Sequence, residues 1–532
     1  LIEKLAGPAI LGAALIAFAG IASAPAAAAG GDAETIIRNT CGACHTENGE
    51  GSGQFSRISQ QRKTPEGWQV TINRMEHLRG LRLSPEDKRT VIKYLADTRG
   101  LAPSEAAPYR YLLEQDTNRV EAVSPDYAQM CARCHSGARF GLQRRSEEEW
   151  KLLVQFHVAQ HPTLEFHSMS RDRPWFQLAM NETSAKLVKD FPLATDAWRK
   201  WQAAPKPALG GDWNLVGYVP GKGEFAARMR AEPTGTDQFR LAVDGRYADG
   251  SPLRGAGSAT VFTGYEWRGA LEIDGAKMRQ VLAAQADGGA MAGRMFRRDA
   301  EADGGELRAV KADGAPQVVA VMPSHLRKGA AQQITVVGSG LDGEVSLGQG
   351  VTVEKVVSRS ADRVTVIAHA TGKAGARDVA VGSARAPGAL AVYERLARVE
   401  VLPADAVARI GGGGGAMEKI GVAYRAVGYA AGPDGKAGTG DDLKLGYMPA
   451  TWAIAPADHT AEEELDHKFA GSIDVNGVFT PGDAGPNPQR KMSANNVGRL
   501  TVVATVDDRA KAVRGHGRLL VSVPDFVQEV LD

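Results

Sequence analysis

All four cysteines of this 532-residue chain fall in two short strings, Cys41-Gly-Ala-Cys44-His45 and Cys131-Ala-Arg-Cys134-His135. Each string reads Cys-x-x-Cys-His. One helical turn sets both thiols where they can add across the two vinyl groups of a haem, and the adjacent histidine turns inward as the proximal iron ligand. With four Cys and 11 His, composition alone rarely produces even one such string. Two strings that use every cysteine point to two covalently bound haem c groups. Cys41, Cys44, Cys131 and Cys134 would hold them, with His45 and His135 as axial iron ligands. A redox dithiol, or a zinc ion shared by the two pairs, explains neither of the following histidines. A thioredoxin-like dithiol also opens a helix within a βαβ pattern, which is absent here.

The amino terminus agrees on compartment. Lys4 precedes an apolar run over residues 5–21, and small residues follow over 22–29. That is the pattern of a secretory signal peptide, too short and alanine-rich to span a bilayer stably, with Ala-x-Ala cleavage options. Pro25 disfavours a cut after Ala24, so cleavage near Ala28 or Ala29 is expected and residues 1–29 are read as the signal. Covalent haem is attached after export, so both features point to a bacterial periplasm. Beyond the signal no 18-residue apolar run predicts a membrane span. A net charge of +1 marks no surface for nucleic acid or lipid.

Composition changes near residue 205, and the fold class expected is multidomain, α followed by all-β. The first part, 30–205, reads as a helical dihaem cytochrome c domain with explicit helix starts at Thr64-Pro65, Ser84-Pro85, Ser124-Pro125 and Ser146-Glu147. Ser84/Asp87 and Ser146/Glu149 have the spacing of capping boxes. The helix from Ser84 is expected to end near Arg99, with Gly100 in the left-handed terminating conformation. After 205 the chain turns to short period-2 segments between Gly, Asp and Pro, such as 238–243, 333–337, 363–367 and 500–505. About three antiparallel β domains are expected: a barrel over 206–316, an Ig-like sandwich over 317–396 and a C-terminal Ig-like domain over 397–532. The run 411–415 is read as a flexible loop.

Each iron needs a second axial ligand unless it is kept open for chemistry. Met75 follows Trp68 by seven residues, and His157 follows Trp150 by seven. Seven residues are nearly two helical turns, so tryptophan and ligand share one helix face. The pattern is that of a duplicated module whose first copy has the longer proximal loop, 23 residues from His45 to Trp68 against 15 from His135 to Trp150. His77 competes with Met75 but lies about 200° around the helix from it. His161 shares a face with His157, although Pro162 points to the helix ending there. His167 and Met169, farther on in an expected loop, also remain open for the second iron. Methionine ligation raises a haem potential relative to bis-histidine ligation. Electrons would then enter at the His135/His157 haem and leave from the His45/Met75 haem.

An exported dihaem module followed by several β domains resembles the large (α) subunit of quinohaemoprotein amine dehydrogenase. The resemblance also covers residues 191–198, Phe262-Thr-Gly-Tyr-Glu-Trp-Arg268, Pro323-Ser-His325, and the stretch from Gly432-Pro-Asp-Gly435 to Asp441-Asp442. It implies a heterotrimer. Primary amines would be oxidised by a cysteine tryptophylquinone on a small separate subunit, with a β-propeller as third partner. This chain has no cysteine to spare for that quinone, so the resemblance makes it an electron acceptor and scaffold without catalytic residues of its own. A periplasmic copper protein or cytochrome c would take the electrons onward. Two other readings use the same motifs: a dihaem peroxidase-like enzyme with one open iron, and a non-enzymatic dihaem carrier with β docking modules. The loop from Asp434 to Asp442 lacks the closing Glu of an EF-hand and is read as a solvated turn.

Overall fold

A computed structural model describes residues 32–413, 417–509 and 511–523. The expected signal peptide lies outside the described residues, as do positions 414 and 415 of the glycine run. The N-terminal region is helical: α1 (Ala33–Thr40), α2 (Pro65–Arg79), α3 (Pro85–Arg99), α4 (Pro103–Ala106), α5 (Pro125–Met130), α6 (Ala138–Gly141), α7 (Glu147–Gln160), α8 (Trp175–Leu178), α9 (Ser184–Asp190) and α10 (Asp196–Ala203). No helix among the described residues is long and apolar enough to cross a membrane.

Three of the four start signals act as caps, whereas Ser124, before α5, makes no side-chain cap bond. The hydroxyls of Thr64, Ser84 and Ser146 accept the backbone N–H of Gly67, Asp87 and Glu149 at 3.3, 3.0 and 3.3 Å, satisfying donors that a helix leaves open at its first turn. Only half of the Ser146/Glu149 box forms. The Glu149 carboxylate turns instead to Arg57, Gln61 and Arg145. Gly100 also departs from expectation, being extended at φ −88° and ψ −158°. It is required by close approach: a Cβ there would lie 2.2 Å from the Ala96 carbonyl oxygen and 2.7 Å from Thr263 Oγ1. The left-handed terminator is Gly80, after α2, at φ 71°.

Two short strands organise the helical region. β1 (Gln61–Lys63) and β2 (Gln143–Arg145) pair antiparallel, with Gln61 opposite Arg145, Arg62 opposite Arg144 and Lys63 opposite Gln143. Each leads directly into a tryptophan-bearing helix, β1 into α2 and β2 into α7. Arg62 and Arg144 stand at the same 82-residue offset as Trp68 and Trp150. An antiparallel pair centred on equivalent residues relates the two copies by a local two-fold axis.

Beyond residue 203 the chain is strand-rich. Eight strands close a barrel in chain order: β3 (Gly211–Val219), β4 (Gly223–Gly235), β5 (Gln238–Tyr247), β6 (Pro252–Phe262), β7 (Glu266–Ile273), β8 (Ala276–Ala284), β9 (Ala290–Arg297) and β10 (Ala300–Lys311), which pairs back onto β3. An interior of this size just accommodates side chains. Trp213, Phe225, Met229, Leu253, Trp267 and Met291 fill the core. Residues 317–393 form two four-stranded sheets over a valine-rich core, and 398–522 form one four-stranded and two three-stranded sheets. The four period-2 segments all lie within strands. The carboxylates of the 434–442 loop are engaged locally. Asp442 meets Arg398 at 2.6 Å, and Asp441 accepts from the Thr439 hydroxyl at 2.7 Å.

The barrel seats the helical region through the turn between β6 and β7. Thr263 donates its backbone N–H to Asp97 at 2.7 Å and its hydroxyl to the Ala96 carbonyl at 3.0 Å. It accepts the Trp201 indole N–H on its own carbonyl at 2.8 Å. On β7, Arg268 reaches Glu66 at the first turn of α2 at 2.6 Å.

Candidate haem centres

The two cysteine loops share one backbone ladder. In the first, the N–H groups of Cys41 and Gly42 donate to the Ile37 carbonyl at 2.8 and 3.1 Å, and those of Cys44 and His45 to the Cys41 carbonyl at 3.1 and 2.9 Å. In the second, Cys131 and Ala132 donate to Tyr127, both at 2.9 Å, and Cys134 and His135 to Cys131 at 3.2 and 3.4 Å. Each loop is therefore one tight turn with its histidine brought back over the first cysteine. Cys44 and Cys134 are exposed, and Cys41 and Cys131 half-buried. Burial pushes the Cys41 and Cys134 thiols up and that of Cys131 up to about 12. A redox dithiol needs the opposite shift, a thiolate favoured by positive surroundings.

Histidine geometry suits iron. The Nδ1 atoms of His45, His135 and His157 face the backbone carbonyls of Ser56, Ser136 and Leu153 at 3.0, 2.9 and 2.8 Å. Such a bond fixes the tautomer and leaves Nε2 as the metal-facing lone pair. The His135 and His157 rings lie 6.3 Å apart between centres, tilted by 33°. A metal held trans between two imidazoles, with each nitrogen about 2 Å away, spaces ring centres by about 6 Å. Burial pushes His135 down to about 4 and lowers His157 as well, keeping both imidazoles in the neutral, ligating form. Trp175 packs against His157 at 5.7 Å and limits its tilt.

The competing donors sit differently. His161 caps the end of α7, and His161, His167 and Met169 are all exposed. On α2, Met75 is half-buried, whereas His77 is exposed and folds its Nδ1 back to the Asn73 carbonyl at 2.7 Å. Trp68 and Trp150 are buried, their indole N–H groups donating to the carbonyls of Arg99 at 3.2 Å and Phe191 at 3.3 Å. Haem thus fits the donors present: two Cys-x-x-Cys-His turns, a neighbouring histidine pair, and a methionine on the half-buried side of α2.

A polar seam along the two-fold axis escaped the sequence reading. Glu105 on α4 receives Arg62 from β1 through two bonds of 2.9 Å and Arg144 from β2 at 3.2 Å, with all three side chains buried. Beside it Glu149, fully buried, receives Arg57 at 2.8 Å, Gln61 at 2.8 Å and Arg145 at 3.2 Å. Lys63 and Arg145, again 82 residues apart, each lie over the tryptophan five residues on, at 5.1 and 5.7 Å from the ring centre. Carrying the 82-residue offset upstream of Trp68 and Trp150 would have flagged these pairs.

Family models match successive stretches of the chain. They are the haem-binding region of the quinohemoprotein amine dehydrogenase A alpha subunit over residues 31–198, and its alpha-subunit domains II, III and IV over 206–312, 315–394 and 399–531. No curated protein sequence matches the chain. Among solved structures, a redesigned β barrel bound to DFHBI is 18% identical, covering 19% of this chain and 91% of its own at a TM-score of 0.17. A Bacteroides ovatus mixed-linkage glucan utilization locus protein in complex with a heptasaccharide is 11% identical, covering 60% of this chain and 67% of its own at a TM-score of 0.19. These likenesses are too slight to bear on function.

Proposed function

Because this chain belongs to the quinohaemoprotein amine dehydrogenase alpha-subunit family, we propose that it is the dihaem electron-transfer subunit of a periplasmic enzyme of that kind. In this reading a tryptophylquinone on a small partner subunit oxidises a primary amine. This chain then carries the electrons, from the His135/His157 side to the His45/Met75 side, to a periplasmic copper protein or cytochrome c. A β-propeller subunit completes the complex. The two regions after the barrel are Ig-like sandwiches that shape the assembly.

The haem groups supply reversible one-electron acceptance. The chain's residues do the rest. Cys41, Cys44, Cys131 and Cys134 tether the groups covalently. His45 and His135 present Nε2 because backbone carbonyls hold their Nδ1 atoms. His157 on α7 and Met75 on α2 would supply the second iron ligands, which would leave neither haem open for substrate. Thioether donation from Met75 would make its site the more oxidising of the two. The observation that carries the reading is the facing pair of His135 and His157, 6.3 Å apart, in a chain with two Cys-x-x-Cys-His turns.

The test is purification from the native host. Co-purification of a small quinone-staining subunit, with amine-dependent reduction of the haem bands, is expected, and their absence would remove the assignment. In the same preparation Met75→Ala should abolish the methionine-to-iron charge-transfer band and lower one potential. A retained band would reject Met75 as ligand.

A further inference from the structure

Arg74 of α2 lays its guanidinium over the Phe156 ring of α7, 4.6 Å from the ring centre. The two residues stand 82 positions apart, the offset of the duplication, so they are equivalent places in the two modules that meet across the local two-fold axis. Each immediately precedes the distal ligand assigned above, Met75 after Arg74 and His157 after Phe156. The duplication is broken at this point: one copy contributes a permanent cation and the other the aromatic face that receives it. Guanidinium on an aromatic face is a favourable, oriented contact. The charge reaches into both copies, since Arg74 is among the groups that push Lys63 of the first and Arg145 of the second downward.

We propose that Arg74 is a positioning residue shared by the two haem centres, a fixed cation between the distal-ligand helices that raises the reduction potential of both. The inference rests on the assignment of Met75 and His157 under Proposed function. Adding an electron at either iron makes that site more negative by one charge, and a cation held nearby in a partly buried setting favours the reduced form. Because the guanidinium does not deprotonate, the effect holds across the working pH range. A shared cation also moves both potentials together. The downhill step between the sites is then left to their different axial ligands.

Spectroelectrochemical titration of the assembled holoprotein tests this, comparing wild type with Arg74→Gln, Arg74→Lys and Phe156→Glu. Arg74→Gln should shift the oxidised-to-reduced ratio of each haem about tenfold at fixed ambient potential, a fall of about 59 mV for one electron. Arg74→Lys should retain most of the wild-type values. Phe156→Glu, which neutralises the guanidinium from the other helix, should lower both potentials and decides the matter alone if Arg74→Gln does not load haem. Unchanged potentials, a shift confined to one haem, or equal shifts in the Gln and Lys variants would overturn the proposal. Failure of the ligand assignment is distinguishable, because it would appear in the wild-type spectra before any variant is made.

Discussion

In the second haem module Arg145 meets the buried carboxylate of Glu149. In the first the equivalent residue is Lys63, and Gly67 stands where Glu149 does. Lys63 donates to the Thr71 hydroxyl at 2.7 Å, and burial pushes its ammonium well below the usual lysine range. The same position thus carries a compensated ion pair in one copy and, in the other, a buried lysine bound to a neutral hydroxyl. The contrast extends one residue into each helix. Glu66 is bound by Arg268 of the barrel, whereas its counterpart Glu148 is exposed. The first copy takes the partner of Glu66 from the barrel, whereas Glu149 of the second is met by Arg145 of its own copy and by Arg57 and Gln61 of the first. Duplication preserved the helix starts, the tryptophans and their seven-residue spacing to Met75 and His157, while the polar groups diverged according to what each copy packs against.

The largest effect should come from the group the copies share. Glu105→Gln would leave Arg62 and Arg144, both buried, facing a neutral amide. Breaking a buried pair strands charge at about 3–5 kcal/mol. Because Glu105 joins both ribbon strands, the denaturant midpoint for Soret loss should fall for both haems together. A fall confined to one haem would break the picture of a common seam.

Next in size is the contrast between equivalent positions. Arg145→Met should cost about 3 kcal/mol, since Glu149 loses a partner in a fully buried site. Lys63→Met should be neutral or stabilising, because the amine it removes has been desolvated without a matching carboxylate. Soret-monitored denaturation of both variants checks this, and equal costs would show that Glu149 does not distinguish the copies.

Much of this was legible in the sequence. The cysteine strings, the seven-residue spacing from Trp68 to Met75 and from Trp150 to His157, and the hydroxyl caps are local signals whose partners lie within two helical turns. The β1–β2 ribbon was not, because Gln-Arg-Lys and Gln-Arg-Arg are polar triplets with no alternation to mark a strand. Glu105 sits in a four-residue helix, and its partner Arg62 is 43 positions away. Nothing local distinguishes that carboxylate from a surface one. Glycines whose role is set by a neighbouring strand were hidden for a related reason. Gly255 and Gly257 lie inside β6, where a Cβ on Gly257 would stand 2.1 Å from the Ala270 carbonyl oxygen of the neighbouring strand. Gly100 misled in the same way, since its role is set by Thr263 on the barrel.

The seat of the first copy on the barrel carries the smallest effect and a definite pH dependence. Glu266 on β7 lies 2.9 Å from the Thr263 hydroxyl, whose proton it shares with the Ala96 carbonyl, and faces Arg268, which also binds Glu66. Burial pushes the Glu266 carboxyl above its ordinary 4.5, against the pull of Arg268. The folded state therefore holds a proton that the unfolded chain releases earlier. The stabilisation is complete below about pH 4.5 and is lost as pH rises through the folded value, with a limiting slope of about 1.4 kcal/mol per pH unit for one proton. Glu266→Gln mimics the protonated form and leaves Arg268 its bond to Glu66. Stability measured by denaturant from pH 4.5 to 8 should fall more steeply in wild type than in the variant. The difference should appear in the transition that releases the first haem module, since the second makes no equivalent contact through Glu148. Parallel slopes would mean that the Glu266 carboxyl titrates alike in both states, and the barrel seat would then be a packing contact without electrostatic content.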